Sequence, residues 1–249
     1  MTRRFFVDPG VVGGDSVEIE GALAHRLATV LRLRPDDEIT LFDGSGEDVR
    51  VRLDEVTGRH IAAAVIGRVP GPAEPRTKVH LFQSITKGER FEWLIEKATE
   101  IGVASVTPLV AARAVVKLPS GGARTERWRR MVVEAAEQCQ RSTVPFIGDP
   151  TLFEDALRAA AGIVLLPYEE AGTVAPNVID VLNRRVDDVF ALAEVSILIG
   201  PEGGYEPAEV ERAESAGAEI VTLGARVLRS ETAGLVAATL AMQAVGELG

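Results

Sequence analysis

Two glycine-bearing stretches near the end of the chain hold the residues best suited to chemistry. The first is Gly200-Pro201-Glu202-Gly203-Gly204, entered by the apolar run 195–199 and left by a helical pattern over 206–216. The second runs from Leu223 and Gly224 through Leu228, Arg229 and Glu231 to Ala233; it follows one more strand and opens another helix. Strand, glycine turn, helix is the layout of a ligand loop in an α/β protein, because ligands of open sheets sit beyond the carboxyl ends of the strands. Glycine lets backbone approach a ligand closely and permits positive φ. The first loop lacks the Gly-Lys-Ser/Thr ending of a phosphate loop and the Gly-x-Gly-x-x-Gly spacing of a dinucleotide fingerprint. Pro201 removes an amide donor, and Glu202 would repel a phosphate. The pair therefore suits a cationic or hydroxyl-bearing ligand. From spacing alone, a βα turn that needs glycine only for its geometry is an equal reading.

The elements that would carry these loops follow from periodicity. Residues 3–7 read as a strand and 22–32 as a helix with Leu23, Leu27, Val30 and Leu31 on one face. Three strand patterns follow, over 38–43, 48–53 and 61–66, the second alternating Val49, Arg50, Val51, Arg52 and Leu53. Short strands at this spacing predict a small barrel. Residues 69–75, with three prolines and a glycine, read as a linker. Beyond it strands (79–85, 103–110, 163–167, 195–199) alternate with helices (89–101, 124–141, 151–160, 176–184, 206–216, 231–248). Alternation of this kind predicts an α/β domain with a mostly parallel sheet. The final helix carries small apolar residues almost all round, which predicts burial, against a second subunit among other surfaces.

Composition narrows the class. The chain has 249 residues, 46% of them hydrophobic and 26% charged, enough for one large or two ordinary globular domains. A single cysteine, Cys139, excludes an internal disulfide and a cysteine-based zinc site, and its spacing predicts a buried small apolar residue. The three histidines, His25, His60 and His80, lie outside both glycine loops, and no metal site is expected. No apolar run is long enough for a membrane span and the first residues lack a signal-peptide core, so a cytoplasmic location is expected. The net charge of −10 is uneven: residues 1–141 carry +1 and residues 142–249 carry −11. A polyanion would meet the first two thirds of the chain.

Gly200-Pro201-Glu202-Gly203-Gly204 followed by Leu223-Gly224-x-Arg226-Val227-Leu228-Arg229-x-Glu231-Thr232-Ala233 resembles the paired C-terminal motifs of SPOUT-class RNA methyltransferases. Arg4-Phe5-Phe6, His25 with Val30-Leu31-Arg32, the run from Lys87-Gly88-x-Arg90 to Gly102, and Arg129 through Gln138 to Arg141 extend the likeness over the whole length, to the RsmE-type family. That family methylates N3 of a uridine in 16S ribosomal RNA. The resemblance implies a PUA-like β-barrel RNA-binding domain over 1–72 and, over 73–249, an α/β domain whose mostly parallel sheet carries a deep trefoil knot. It implies S-adenosylmethionine as cofactor, a homodimer with each cofactor site near the subunit interface, and 16S rRNA or the 30S subunit as partner. On this reading Leu166, Pro167, Gly200, Pro201, Glu202, Gly203, Gly204, Leu223, Gly224, Leu228, Arg229 and Ala233 bind the cofactor.

Methyl transfer to uracil N3 needs a base or a cation that stabilises the uracil anion. Arg229 is the expected cation, with a structural ion pair to Glu202 or Glu231 as the alternative. Glu202 is taken with it as catalytic, and Glu231 is read as capping the last helix, while the base itself is left open. RNA contacts are expected from Arg3, Arg4, His25, Arg26 and Arg32, then from Lys87, Arg90, Arg113 and Arg129. Lys117, Arg124, Arg127 and Arg130 would widen that second basic surface. A non-catalytic RNA-binding assembly factor is the competing reading.

Overall fold

The computed structural model describes residues 3–114, 122–172, 174–185 and 193–248. The chain divides into two compact units, one of residues 1–74 with 136–144 and one of 75–135 with 145–249. Lys117 lies outside the described residues.

The first unit is a five-stranded curled sheet. Its strands are β1 (Arg4–Phe6), β2 (Ser16–Glu20), β3 (Glu38–Phe42), β4 (Glu47–Val56) and β5 (His60–Pro70), in the spatial order β1-β3-β4-β5-β2. Only the β1–β3 pair is parallel. The alternation read in β4 is real: Val49, Val51 and Leu53 are buried while Arg50 and Arg52 face solvent. They join Phe5, Val17, Ile19, Leu41 and Ile61 in one core. Strand β2 was not anticipated, although Val17 and Ile19 alternate inward between three exposed neighbours. β5 continues through Pro70, into the stretch read as linker.

The helix expected over 22–32 is broken in character. Helix α1 covers only Gly21–His25, and Arg26–Val30 forms a π turn closed by Leu31 N–H donating to the Arg26 carbonyl at 3.0 Å. The wider turn shifts the angular phase of the residues after it. Leu27 stays fully buried, but Val30, expected on the same face, is 68% exposed.

The second unit is built on a seven-stranded, wholly parallel sheet. Its strands are β6 (Lys78–Ser84), β7 (Ser105–Val110), β8 (Phe146–Ile147), β9 (Thr151–Leu152), β10 (Ile163–Pro167), β11 (Glu194–Ile199) and β12 (Glu219–Val221). The order is β12-β10-β11-β6-β7-β8, with β9 also on β7. The helices are α2 (Arg90–Ile101), α3 (Ala123–Cys139, whose end belongs to the first unit), α4 (Phe153–Ala159), α5 (Val178–Arg185), α6 (Pro207–Ser215) and α7 (Ser230–Ala244). Thr151 and Leu152, read as helix, form β9 instead, because they complete the edge of β7. Cys139 is half-buried rather than enclosed. Helix α6 starts on a capping box, Glu206 and Glu209 each accepting from the other's backbone N–H, with Pro207 in its first turn. That cap fixes where the Gly200–Gly204 loop ends.

Candidate active site

Strands β12, β10 and β11 are neighbours and parallel, so their carboxyl ends open on one edge of the sheet. A cavity of about 450 Å³ lies there. Pro167 and Glu169 line it after β10, Gly200, Pro201, Glu202 and Gly204 after β11, and Val227 through Ser230 with Ala233 at the start of α7; Arg90 closes one side. A narrower recess walled by Thr222, Leu223 and Gly224 shares Pro167, Glu169, Val227, Leu228 and Ala233 with it. The volume lies in the range of small-molecule sites.

The glycines have separate causes. At Gly200 a Cβ would lie 3.1 Å from the Tyr205 ring, which is buried and packs 5.3 Å from the Phe153 ring. Burial first, then the charges of Glu209 and Glu169, pushes the Tyr205 phenol well above its ordinary range. The ring is thus a neutral wedge that shapes the loop. At Gly204 φ is +68° and a Cβ would lie 2.0 Å from Glu169 Oε1. Only glycine lets that carboxylate lie against the loop. Gly204→Ala is therefore expected to push Glu169 away and weaken binding of a cationic ligand about tenfold, the scale of one lost charged hydrogen bond. Calorimetry checks this, and unchanged affinity would remove Glu169 from the site.

A buried chain of hydrogen bonds ties two strand ends to the start of α7. Gln83 Nε2, at the end of β6, donates to Ser230 Oγ at 2.9 Å, and Ser230 Oγ donates to the Gly200 carbonyl at 2.6 Å. Gly234 leaves room for this amide, since a Cβ there would lie 2.1 Å from Gln83 Oε1. The loop 225–228 contributes differently. Its four amides have no acceptor among the described residues, which leaves donors free at the cavity mouth.

Most residues expected at the cofactor site meet here: Pro167, Gly200, Pro201, Glu202, Gly204, Leu228, Arg229 and Ala233 in the cavity, Leu223 and Gly224 in the recess. Gly203 stands aside, its carbonyl accepting from Arg113 Nη1 at 3.2 Å. Leu166 does not line the cavity. It is fully buried in the core with Phe82 and Leu198, because successive strand side chains point to opposite faces. Glu202, expected as a catalytic group, is held by Arg90 Nη1 at 2.5 Å and is partly exposed. Arg90 thus takes the place foreseen for Arg229 in an ion pair with Glu202, and Arg229 is itself exposed with no carboxylate partner among the described residues. Glu231 does not cap α7, whose start has no side-chain cap.

The expected RNA contacts divide. Arg3 and Arg32 are exposed and line one open depression of the first unit, and His25 is exposed. Arg26 is half-exposed, paired with Glu137 at 2.8 Å. Arg4 is not available. Its guanidinium is buried in a two-pronged pair with Asp48 and lies 4.2 Å over the Phe42 ring. In the second unit Lys87, Arg90 and Arg113 are exposed near the cavity, whereas Arg129 pairs with Glu126 and, at 3.5 Å, Asp149. Sequence reasoning missed Glu169, Ser230 and Gln83. Gln83 left a signal, as a polar residue inside an apolar strand.

Two family models match, an RNA methyltransferase domain over residues 73–242 and an RNA methyltransferase PUA domain over 19–66. The ribosomal RNA small subunit methyltransferase E of Bacillus subtilis is 31% identical over 242 residues, 94% of each chain. Its counterpart in Mycobacterium bovis is 34% identical over 260 residues, covering all of this chain and 92% of that one. A methyltransferase of Legionella pneumophila in complex with S-adenosylmethionine superposes with a TM-score of 0.85 at 27% identity, over 98% of each chain. The ribosomal RNA small subunit methyltransferase E of Neisseria gonorrhoeae, bound to S-adenosylmethionine, gives 0.83 at 30% identity over 98% of this chain and 97% of that one. With both domains matched, and relatives above 30% identity along nearly the whole length, this chain belongs to the ribosomal RNA small subunit methyltransferase E family of RNA methyltransferases.

Proposed function

We propose that this protein methylates N3 of a uridine in 16S ribosomal RNA, with S-adenosylmethionine as methyl donor, on the small ribosomal subunit in the cytoplasm. The observation that carries this reading is the cavity at the ends of β10, β11 and β12, which offers backbone donors and carboxylates where a phosphate cradle would offer lysine. The residues present fit the cofactor. The loops at 200–204 and 223–228 supply amides and carbonyls for a purine and a ribose, and Glu169 and Glu202 supply negative charge for a cation. Pro167, Ile199, Val227 and Leu228 supply apolar wall. When bound, the cofactor supplies an electrophilic methyl group on a sulfonium.

The chain's own groups do the rest. Arg229, on the cavity wall, faces the negative charge that develops on the uracil carbonyl oxygens. The Gln83–Ser230–Gly200 chain holds the loop in register. Since N3 lies on the pairing edge, the target base must be unpaired or flipped out. We assign RNA docking to residues 1–72, through Arg3, His25 and Arg32, and catalysis to 73–249, where Lys87 and Arg113 extend the contact. We also assign a homodimer, with the half-buried Leu235, Val236 and Leu240 of α7 meeting a second copy, and a trefoil knot in the last third of the chain.

The test is a mass-spectrometric comparison of 16S rRNA from cells with and without the protein. One N3-methyluridine is expected to vanish on deletion and to return when purified protein, cofactor and small subunits are combined. Cofactor binding without methyl transfer would leave an RNA-binding assembly factor in its place. Light scattering is expected to give twice the 26.6 kDa of one chain.

A further inference from the structure

A wider cleft of about 580 Å³ adjoins the cofactor cavity within the second unit. The two share Arg90 and Arg229; the wider one adds Lys87, Trp93, Glu231 and Thr232. Glu231 is only 6% exposed, yet Oε2 has no hydrogen-bond partner among the described residues. Its other oxygen lies 3.9 Å from Arg90 Nη1. A buried carboxylate oxygen without a donor is costly, and such exceptions mark places where a ligand or a reaction supplies the partner. The side chain also stands in the first turn of α7, where the helix dipole favours negative charge. Trp93, 48% exposed, offers a flat apolar face on the same cleft, and Lys87 an exposed cation.

We propose that this cleft receives the acceptor uracil and that Glu231 is the base that takes its N3 proton. The proposal rests on the methyl-transfer reading above. The indole face suits a splayed-out base and Lys87 its phosphate. The N3–H proton passes to Glu231 Oε2, and the electron pair of that bond remains on N3. The nitrogen pair forms the new bond to the methyl carbon as the carbon–sulfur bond breaks, its electrons staying on sulfur. Carboxylate and sulfonium charges disappear together, leaving a carboxylic acid and a neutral thioether. Arg90 holds Glu202 and stands beside Glu231, so it spans the wall between donor and acceptor. Glu202, paired and partly exposed, is not placed to do the same work.

Two measurements test this, both on the full-length protein with small subunits from a deletion strain. Without cofactor, subunits carrying 5-bromouridine are irradiated and the cross-linked peptide is identified. A cross-link within Lys87–Trp93 is expected; cross-links confined to the first unit would overturn the acceptor site. With cofactor, Glu231→Gln is expected to lower methyl transfer by about 10²-fold or more, the scale of general-base catalysis. The same variant is then given RNA containing 5-fluorouridine, whose ring fluorine makes the N3 proton more acidic. Because a missing base is offset by a more acidic proton, the variant is expected to recover about tenfold while the wild type changes less than about threefold. A purely structural loss gives no such selective recovery, and either that result or near-wild-type turnover of Glu231→Gln would overturn the assignment of the base. A wild type that leaves N3 unmethylated would instead defeat the underlying reading of the function.

Discussion

Gly162→Ala is expected to destabilise the second unit by about 2–5 kcal/mol, the sum of left-handed backbone strain and overpacking. Gly162 has φ +68°, and a Cβ there would lie 1.8 Å from the Glu194 carbonyl oxygen and 2.5 Å from its carbon. Those are backbone atoms at the first residue of β11, which pairs with β10 from Ile163↔Val195 onward. No side-chain rotation relieves the clash. The two strands must part at their entry, and both lead to the cavity at the sheet edge. With roughly 2–4 °C of melting temperature per kcal/mol in a unit of this size, the midpoint should fall by about 5–15 °C. Gly67→Ala serves as the control, since a Cβ there meets nothing within 4 Å and the backbone needs no left-handed turn. Circular dichroism melts of the two variants decide the matter. A Gly162→Ala midpoint within a degree or two of wild type would mean that the approach of Gly162 to Glu194 is not rigid.

What the sequence made legible is what depends on local pattern. Glycine spacing located the two loops, and the parallel sheet of the second unit follows from alternating strands and helices. Val49, Val51 and Leu53 could be placed inward because period-two alternation has one physical meaning. The short β2 was missed although its pattern is clean, because five residues between glycines carry little weight beside the helix that follows. The π turn at Arg26–Val30 was illegible for another reason. One extra residue per turn leaves composition unchanged and alters only which side each residue faces.

Partnerships across the chain were the larger omission. Arg4 reads as a free cation beside Arg3, and nothing local reveals Asp48, 44 residues away, as its partner. Arg90 and Glu202 are 112 residues apart, so the sequence offers the nearer Arg229, as an alternative reading, for the ion pair that Arg90 makes. Glu169 follows a strand and looks like a solvated charge until the fold brings Gly204 against it. The resemblance puts both Leu166 and Pro167 on the pocket wall, yet the strand sends one into the core and leaves the other on the cavity. Sequence pattern identifies loops and faces; long-range pairing decides which charges are free to act.

That distinction gives Arg229 its expected weight. Replacing it by alanine should lower turnover by about 10²–10³-fold, the effect of losing one preorganised group that meets developing negative charge. Affinity for RNA should stay within a few-fold. The side chain is exposed and holds no carboxylate among the described residues, so its removal leaves no buried charge unpaired and the melting temperature should hold. Its structural duty is carried by the backbone, whose carbonyl accepts from Ala233 N–H at 2.8 Å, and alanine preserves that. Arg90 cannot substitute, because its guanidinium is already held by Glu202 at 2.5 Å. Arg229→Lys retains the charge but loses the planar fork, so it should recover part of the rate and not all of it. Turnover of the alanine variant within threefold of wild type would take Arg229 out of the reaction, and the stabilising cation would then have to come from another group, such as the exposed Lys87.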